Sequence, residues 1–141
     1  MRLLRRSLYA YALVSAVGGA ALAAFPRSVL VGLFGQVHYP EYAWVRVVGV
    51  QALGTAMLAV LVAQRVRDQW WWTWAFVIPV MLLFLVFGVN AVLGPGCASL
   101  PGGERECPSS ALWWVATAIS AALAGGMVVG LARAGREAPP L

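Results

Sequence analysis

The sequence predicts an all-α integral membrane protein, a four-helix bundle that runs up-down-up-down with both termini in the cytoplasm. The chain has 141 residues, of which 62% are hydrophobic and 11% are charged, whereas soluble domains carry about 25% charged residues. Crossing a bilayer core of about 30 Å at ~1.5 Å per residue takes about 20 apolar residues. Four runs reach that length, which excludes an ordinary soluble domain.

The four runs are expected to be transmembrane helices of a single domain, residues 1–141. The absence of polar–apolar alternation and the high Ala and Leu content favour helices over strands. The predicted spans cover residues 7–25, 43–63, 71–93 and 111–132.

The first run has an alternative interpretation. Arg2, Arg5 and Arg6 before an apolar run that ends in Ala21-Leu22-Ala23 also describe a secretory signal peptide. We expect an uncleaved first helix.

The arginines predict the orientation. All ten basic residues are arginine, and the formal net charge is +5. With a cytoplasmic N-terminus, most of them lie inside, as the positive-inside rule prefers. The inside group is Arg2, Arg5, Arg6, Arg65, Arg67, Arg133 and Arg136, and the outside group is Arg27, Arg46 and Arg105. Membrane topology in a bacterial inner membrane therefore explains the basic charge, and nucleic-acid binding is not expected.

The two cysteines flank a loop that this topology places outside, where oxidising conditions permit a disulfide. The loop contains Pro101, Gly102 and Gly103, which allow the chain to double back. A redox role would normally use a Cys-x-x-Cys pair, and Cys97 and Cys107 do not form one. We expect a structural disulfide between them.

Tryptophans near the ends of the runs predict belts at the two membrane interfaces. The inner belt is expected to contain Trp70, Trp71, Trp72 and Trp74, and the outer belt Trp44, Trp113 and Trp114.

The first outer connection, residues 26–42, is strongly apolar and longer than a hairpin turn needs. Residues 28–34 are expected to form a short helix in the interface, with Ser28 as its N-cap and Gly35 as its stop. The inner connection, residues 64–69, is short and charged, and short connections make neighbouring helices antiparallel.

Small residues predict where helices pack, because membrane helices associate closely where their backbones can approach. The fourth helix has Ala118, Ala122, Gly126 and Gly130 at every fourth position. The first helix has two such stripes, Ala12, Ala16, Ala20 and Ala24, and Ser15, Gly19 and Ala23. We expect these two helices to pack on each other or against a partner protein.

The third helix is expected to face lipid, because large side chains surround it, Phe76, Met81, Leu82, Leu83, Phe84, Leu85 and Phe87 among them. Pro79 near its middle is expected to kink it.

Arg46 is the most informative polar residue. It lies about one turn inside the second helix, where a guanidinium costs free energy unless it is paired or reaches the interface. Asn90 of the third helix is expected at a similar depth. One hypothesis brings Arg46, Asn90, Glu41 and His38 together in a polar pocket open to the outside. In the alternative, Arg46 reaches lipid headgroups and Asn90 bonds to backbone.

Two polar residues lie deeper in the second helix. Gln51 is turned about 140° from Arg46 at ~100° per residue, so the two do not share a face. Thr55 does share the face of Gln51. These two are expected to bond to each other or across to another helix.

Neither catalytic residues nor cofactors are expected. His38 is the only histidine, which excludes a bis-histidine haem within this chain and most multi-histidine metal sites. None of the acidic residues falls within a predicted span, and no nucleophile has a base beside it.

The first half of the chain resembles small DoxX-like four-helix membrane proteins. The residues concerned are Phe25-Pro26, the apolar stretch that closes as Leu33-Phe34-Gly35, and Arg46 followed by Gly49, Gly54 and Leu58. The resemblance implies a four-helix bundle and an association with quinone-linked or redox membrane complexes.

The function expected from these features is that of a non-catalytic accessory or structural subunit of a larger membrane complex, or of a homo-oligomer. The alternative is a protein that binds a small molecule or lipid in an outer-leaflet pocket near Arg46 and Asn90.

Overall fold

The computed structural model describes residues 1–36, 40–93, 98–99, 105–106 and 111–137. Its four long helices are each long and apolar enough to cross a membrane, as predicted. They are α1 (Arg2–Ala24), α2 (Ala43–Gln64), α3 (Trp74–Leu93) and α4 (Ala111–Glu137). One turn of 3-10 helix, Trp70–Thr73, leads directly into α3.

Two helices continue beyond their predicted ends. Helix α1 begins at Arg2 rather than at residue 7, and α4 continues to Glu137 rather than ending at residue 132. Hydropathy marks the apolar part of a helix, whereas arginine is itself a good helix former. The additional turns also pack, since Leu4 and Ala134 are completely buried.

Neighbouring helices in the bundle run antiparallel. Helix α1 lies between α2 and α4, and α3 packs on the other side of α4. Between α1 and α2, Gly19 meets Gly49, and the Arg5 Nε–H donates to the carbonyl of Ala63 over 3.1 Å. Two pairs of helices result, α1 with α2 and α3 with α4, joined through the contact between α1 and α4.

The hydrophobic core occupies one half of the bundle. We call this the terminal half, because it holds the helix ends nearest both chain termini, residues 2–13, 54–66, 70–80 and 125–137. The remainder of the four helices is the distal half. Val45 and Ala91 are buried in the distal half, but every residue of the main core cluster belongs to the terminal half: Leu4, Leu8, Tyr11, Ala12, Ala56, Ala59, Val62, Ala63, Val66, Phe76, Val77, Val80, Met127, Leu131 and Ala134.

The small-residue stripes of α1 and α4 pack against different helices. Gly126 and Gly130 lie against Ser7 and Leu4 of α1, where an added Cβ would stand 2.9 Å from the nearest atom. Ala118 and Ala122 of the same stripe are exposed. Gly19 of α1 packs on α2 rather than on α4, and an added Cβ at Gly49 would lie 2.6 Å from the Gly19 carbonyl oxygen.

The interfacial segment predicted at residues 28–34 is helical over Ser28–Leu33, with the wide turns of a π-helix. The Phe34 N–H donates to the carbonyl of Val29, five residues earlier. Ser28 provides no side-chain cap, because the turn already starts at Arg27. Gly35 ends the segment as predicted, with a φ of 60° that favours glycine.

Helix α3 faces outward along most of its surface but contributes one face to the core. The prediction that its whole circumference faces lipid is wrong for Phe76, which is 4% exposed and stacks on Tyr11 with ring centroids 5.6 Å apart. The helix continues through Pro79, whose ring is exposed.

Between α3 and α4 the chain forms a small antiparallel β-ladder, whereas the sequence predicted only helices. Strand β1 (Ala98–Ser99) pairs with strand β2 (Arg105–Glu106), with Ala98 opposite Glu106. The chain therefore reverses direction between these strands. Cys97 and Cys107 lie outside the described residues.

Candidate functional site

Among the described residues, no hydrogen bond or ion pair joins Arg46 to Asn90. Arg46 is exposed on α2, in line with Leu53 and Met57, and it forms no ion pair with the exposed Glu41. His38, the fourth member of the predicted pocket, is outside the described residues. Depth along a helix axis follows from counting residues, but the face that a residue occupies depends on which neighbours the helix packs against.

Asn90 lies on the face of α3 that meets the core farther along the helix. It lies two turns beyond Leu83 and four turns beyond Phe76 on one stripe of α3, and Phe76 is in the core. The Asn90 Nδ2 donates to the carbonyl of Val86 over 2.8 Å, which is the backbone bond expected in the alternative to the pocket. The side chain is half-buried.

Gln51 and Thr55 occupy the corresponding stripe of α2. Both align with Val62, which enters the core two turns beyond Thr55. The Thr55 hydroxyl donates to the Gln51 carbonyl over 2.9 Å, so the two bond to each other, through backbone. The amide of Gln51 is exposed.

These stripes lie along the less tightly packed region between the helix pairs in the distal half, here called the distal crevice. Val48, Leu83 and Ile119 are 43–50% exposed there. Other residues of the same helices, Val45, Ala91, Thr117 and Ser120, remain buried in the distal half. The main core cluster is therefore confined to the terminal half, and packing between the two pairs is less complete in the distal half. Asn90 lies near the distal end of this crevice and Gln51 nearer the middle of the bundle.

An aromatic cluster joins the pairs at the distal end of the crevice. The Trp113 ring of α4 meets the Phe34 ring of the interfacial segment edge to face, with centroids 5.2 Å apart. It also meets Phe87 of α3 at 5.9 Å. The Trp113 Nε1–H is buried and has no hydrogen-bond partner among the described residues, although Trp113 was predicted as an interfacial belt residue. Its clustering with Phe34 required knowledge of the tertiary fold.

A second concave surface is the groove between α1 and α2. It has a volume of about 530 Å³ and is lined by Tyr9, Ala12, Leu13, Ala16, Leu53, Ala56, Met57 and Val60. The Tyr9 hydroxyl is the single side-chain polar group of this lining. Hydropathy could not indicate the groove, because all of its other residues are typical of any lipid-facing surface.

The described residues contain no group of three His, Cys, Asp or Glu side chains that could hold a metal ion. One further polar group is isolated: the Thr73 hydroxyl is fully buried at the start of α3 and has no hydrogen-bond partner in the described part of the chain.

Comparisons with protein-family models, with curated proteins and with solved structures found no match to this chain.

Proposed function

We propose that this protein is a multi-pass, non-catalytic inner-membrane protein that acts as an accessory subunit of a larger membrane complex or of a homo-oligomer. In this proposal both termini are cytoplasmic, and the ladder between α3 and α4 is outside. The redox association implied by the DoxX-like resemblance would be a property of the partner complex.

The observation that carries the proposal is an exposed small-residue face on α4. Its members recur at alternating spacings of four and three residues, which is the pattern of a helix that packs on another helix. Its small residues are Ala118, Ala122, Gly125 and Ala132, with the larger Val129 between the last two, and all five are exposed. A Cβ added at Gly125 would have no atom of this chain within 4 Å. Such faces allow the backbone of a partner helix to approach closely.

The test is isolation in a series of mild detergents, followed by chemical cross-linking and mass analysis. We expect an oligomer or a reproducible partner subunit that is lost in Gly125→Leu, because a leucine there would hold the partner backbone away. Gly54→Leu is the matched control, since Gly54 of α2 is also helical, exposed and open to a Cβ. A lone monomer in every detergent would contradict the proposal, and so would equal loss in both variants.

A second candidate function is small-molecule binding in the distal crevice. Of the residues in the predicted pocket, this candidate site includes Asn90 but not Arg46. It is favoured by the Trp113 Nε1–H, which has no partner in the part of the chain that the structure describes, and by the side-chain amides of Asn90 and Gln51 beside the crevice. Ligand sites combine apolar walls with a few polar groups of this kind. Mass analysis of molecules that co-purify with the wild type and with Asn90→Leu tests it. A molecule that is present only in the wild type supports the crevice, and identical extracts contradict it.

A further inference from the structure

The groove between α1 and α2 leads toward a group of arginines. Arg2 precedes Tyr9 by seven residues, and Arg6 precedes Leu13 by the same interval, so both arginines stand two turns from a groove residue on the same face of α1. Arg5 stands one turn from Tyr9. On α2, Gln64 continues the face of Met57 and Val60 in the same direction. The terminal end of an apolar groove thus carries three guanidinium groups and an amide.

Arg5 is held at this end by a defined contact. Its Nε–H donates to the Ala63 carbonyl in the last turn of α2, where cationic side chains also interact favourably with the helix dipole. The bond joins the two helices at the mouth of the groove. Arg2 and Arg6 are exposed and have no ion-pair partner among the described residues.

The acidic side chains near this end do not balance the arginines. Arg65 and Arg67 follow α2 directly, and Asp68 is the one acid of that connection. The end of the α1–α2 pair is therefore strongly cationic, whereas the groove itself is apolar apart from the Tyr9 hydroxyl. An arginine fork matches phosphate oxygens in geometry and charge.

We propose that the α1–α2 groove is a binding site for one anionic phospholipid. An acyl chain lies along Leu13, Ala16, Leu53 and Met57, and the phosphate lies at Arg2 and Arg6, with Arg5 and Gln64 beside it. The groove volume of about 530 Å³ falls within the range of ~300–1,000 Å³ usual for ligand sites. The charge at its mouth selects an anionic headgroup over a zwitterionic one. The proposal is independent of whether a partner subunit exists.

Native mass spectrometry of the purified full chain in detergent tests the headgroup. Phosphatidylglycerol and phosphatidylcholine with the same acyl chains are the two probes, and we expect selective retention of phosphatidylglycerol. Arg2→Gln with Arg6→Gln should weaken its binding about ten-fold or more, because each basic residue near an anionic headgroup contributes about a factor of five. Neither substitution removes the bond between Arg5 and Ala63.

The matched control is Arg133→Gln with Arg136→Gln, which removes the same charge from the same end of the bundle but on α4. We expect it to keep the preference for phosphatidylglycerol. Equal loss of phosphatidylglycerol binding in both double variants would mean that the lipid responds to the overall positive charge of this end of the bundle. That result would overturn the proposed site. Equal retention of the two lipids by the wild type would overturn it as well.

The groove itself is tested with Leu13→Ser and Met57→Ser. These side chains are 66% and 71% exposed, so the fold does not depend on them, and a melting curve checks this. We expect weaker retention of phosphatidylglycerol than in Val17→Ser with Leu58→Ser, which are exposed outside the groove. Unchanged retention, or displacement of the lipid by free glycerol phosphate, would overturn the assignment of an acyl chain to the groove.

Discussion

At the scale of single residues, polar groups in this protein are explained mostly by local backbone bonds. Ser7, Thr55, Asn90 and Thr117 each donate to a carbonyl four residues earlier. Such bonds satisfy a polar side chain within its own helix, which removes much of the cost of placing it in lipid. The hydroxyl of Thr73 is different, because it is buried and no other described residue bonds to it.

We expect Thr73→Val to raise the melting temperature of the protein in detergent, corresponding to stabilisation of about 1 kcal/mol. Valine has nearly the shape of threonine and removes a buried hydroxyl that makes no bond. Thermal unfolding followed by tryptophan fluorescence measures the change. In Thr117→Val, the control, a bond of 2.7 Å to Trp113 is lost, so no gain is expected. A decrease for Thr73→Val would mean that its hydroxyl has a partner.

Residue-level prediction from the sequence succeeded where it depended on helical phase. The separation of Gln51 from Arg46 and the shared face of Gln51 and Thr55 both follow from the angle per residue. The observed bond joins the Thr55 hydroxyl to the backbone carbonyl of Gln51 and does not involve the Gln51 amide. The grouping of Arg46 with Asn90 used depth alone. Depth does not determine which side of α2 meets α1, and that side is set by the approach of Gly49 to Gly19.

At the scale of elements, the helices were predictable and their partners were not. Long apolar runs bounded by charged or Pro- and Gly-containing segments define helices whatever their neighbours are. A stripe of small residues, in contrast, fits any other helix with a complementary surface. The first-helix stripe through Gly19 was assigned to the fourth helix or a partner protein, but it packs on α2.

The close contact of α1 with α2 predicts a sensitive position. Gly49→Ala should destabilise the protein by about 1–3 kcal/mol, because the new Cβ would meet backbone atoms of Ala23 and Gly19 at 2.6 Å. Gly54→Ala, on the same helix with open space around it, should be neutral or slightly stabilising. Unfolding in a denaturing detergent compares the two. Equal stability of the variants would contradict the observed helix contact.

At the scale of the whole molecule, membrane insertion is indicated by composition, whereas orientation depends on where a few charges lie. The structure groups seven arginines at the terminal end, around the contacts between Arg5 and Ala63 and between Leu4 and Gly130. An arginine-rich end favours the cytoplasmic side. The ladder between β1 and β2 brings Ala98 and Glu106, the chain neighbours of the two cysteines, into register.

We therefore expect Cys97 and Cys107 to be joined by a disulfide on the outer side of the membrane. Intact-mass measurement without reductant should give a mass two hydrogens below that of the reduced chain. A membrane-impermeant thiol reagent should label intact cells only after an impermeant reductant is added. Replacing both cysteines by serine provides the background control. Free thiols in the untreated protein, or labelling confined to opened cells, would contradict the bridge or the orientation.

The concentration of core residues in the terminal half also affects how the molecule opens. Separating the distal ends of the two helix pairs breaks the aromatic contact of Phe34 with Trp113 but leaves the packing around Leu8, Val77 and Met127 intact. Local opening of this kind costs less free energy than global unfolding. We therefore expect the two pairs to separate first at their distal ends, and lateral pressure from the surrounding lipid to act on this protein chiefly there.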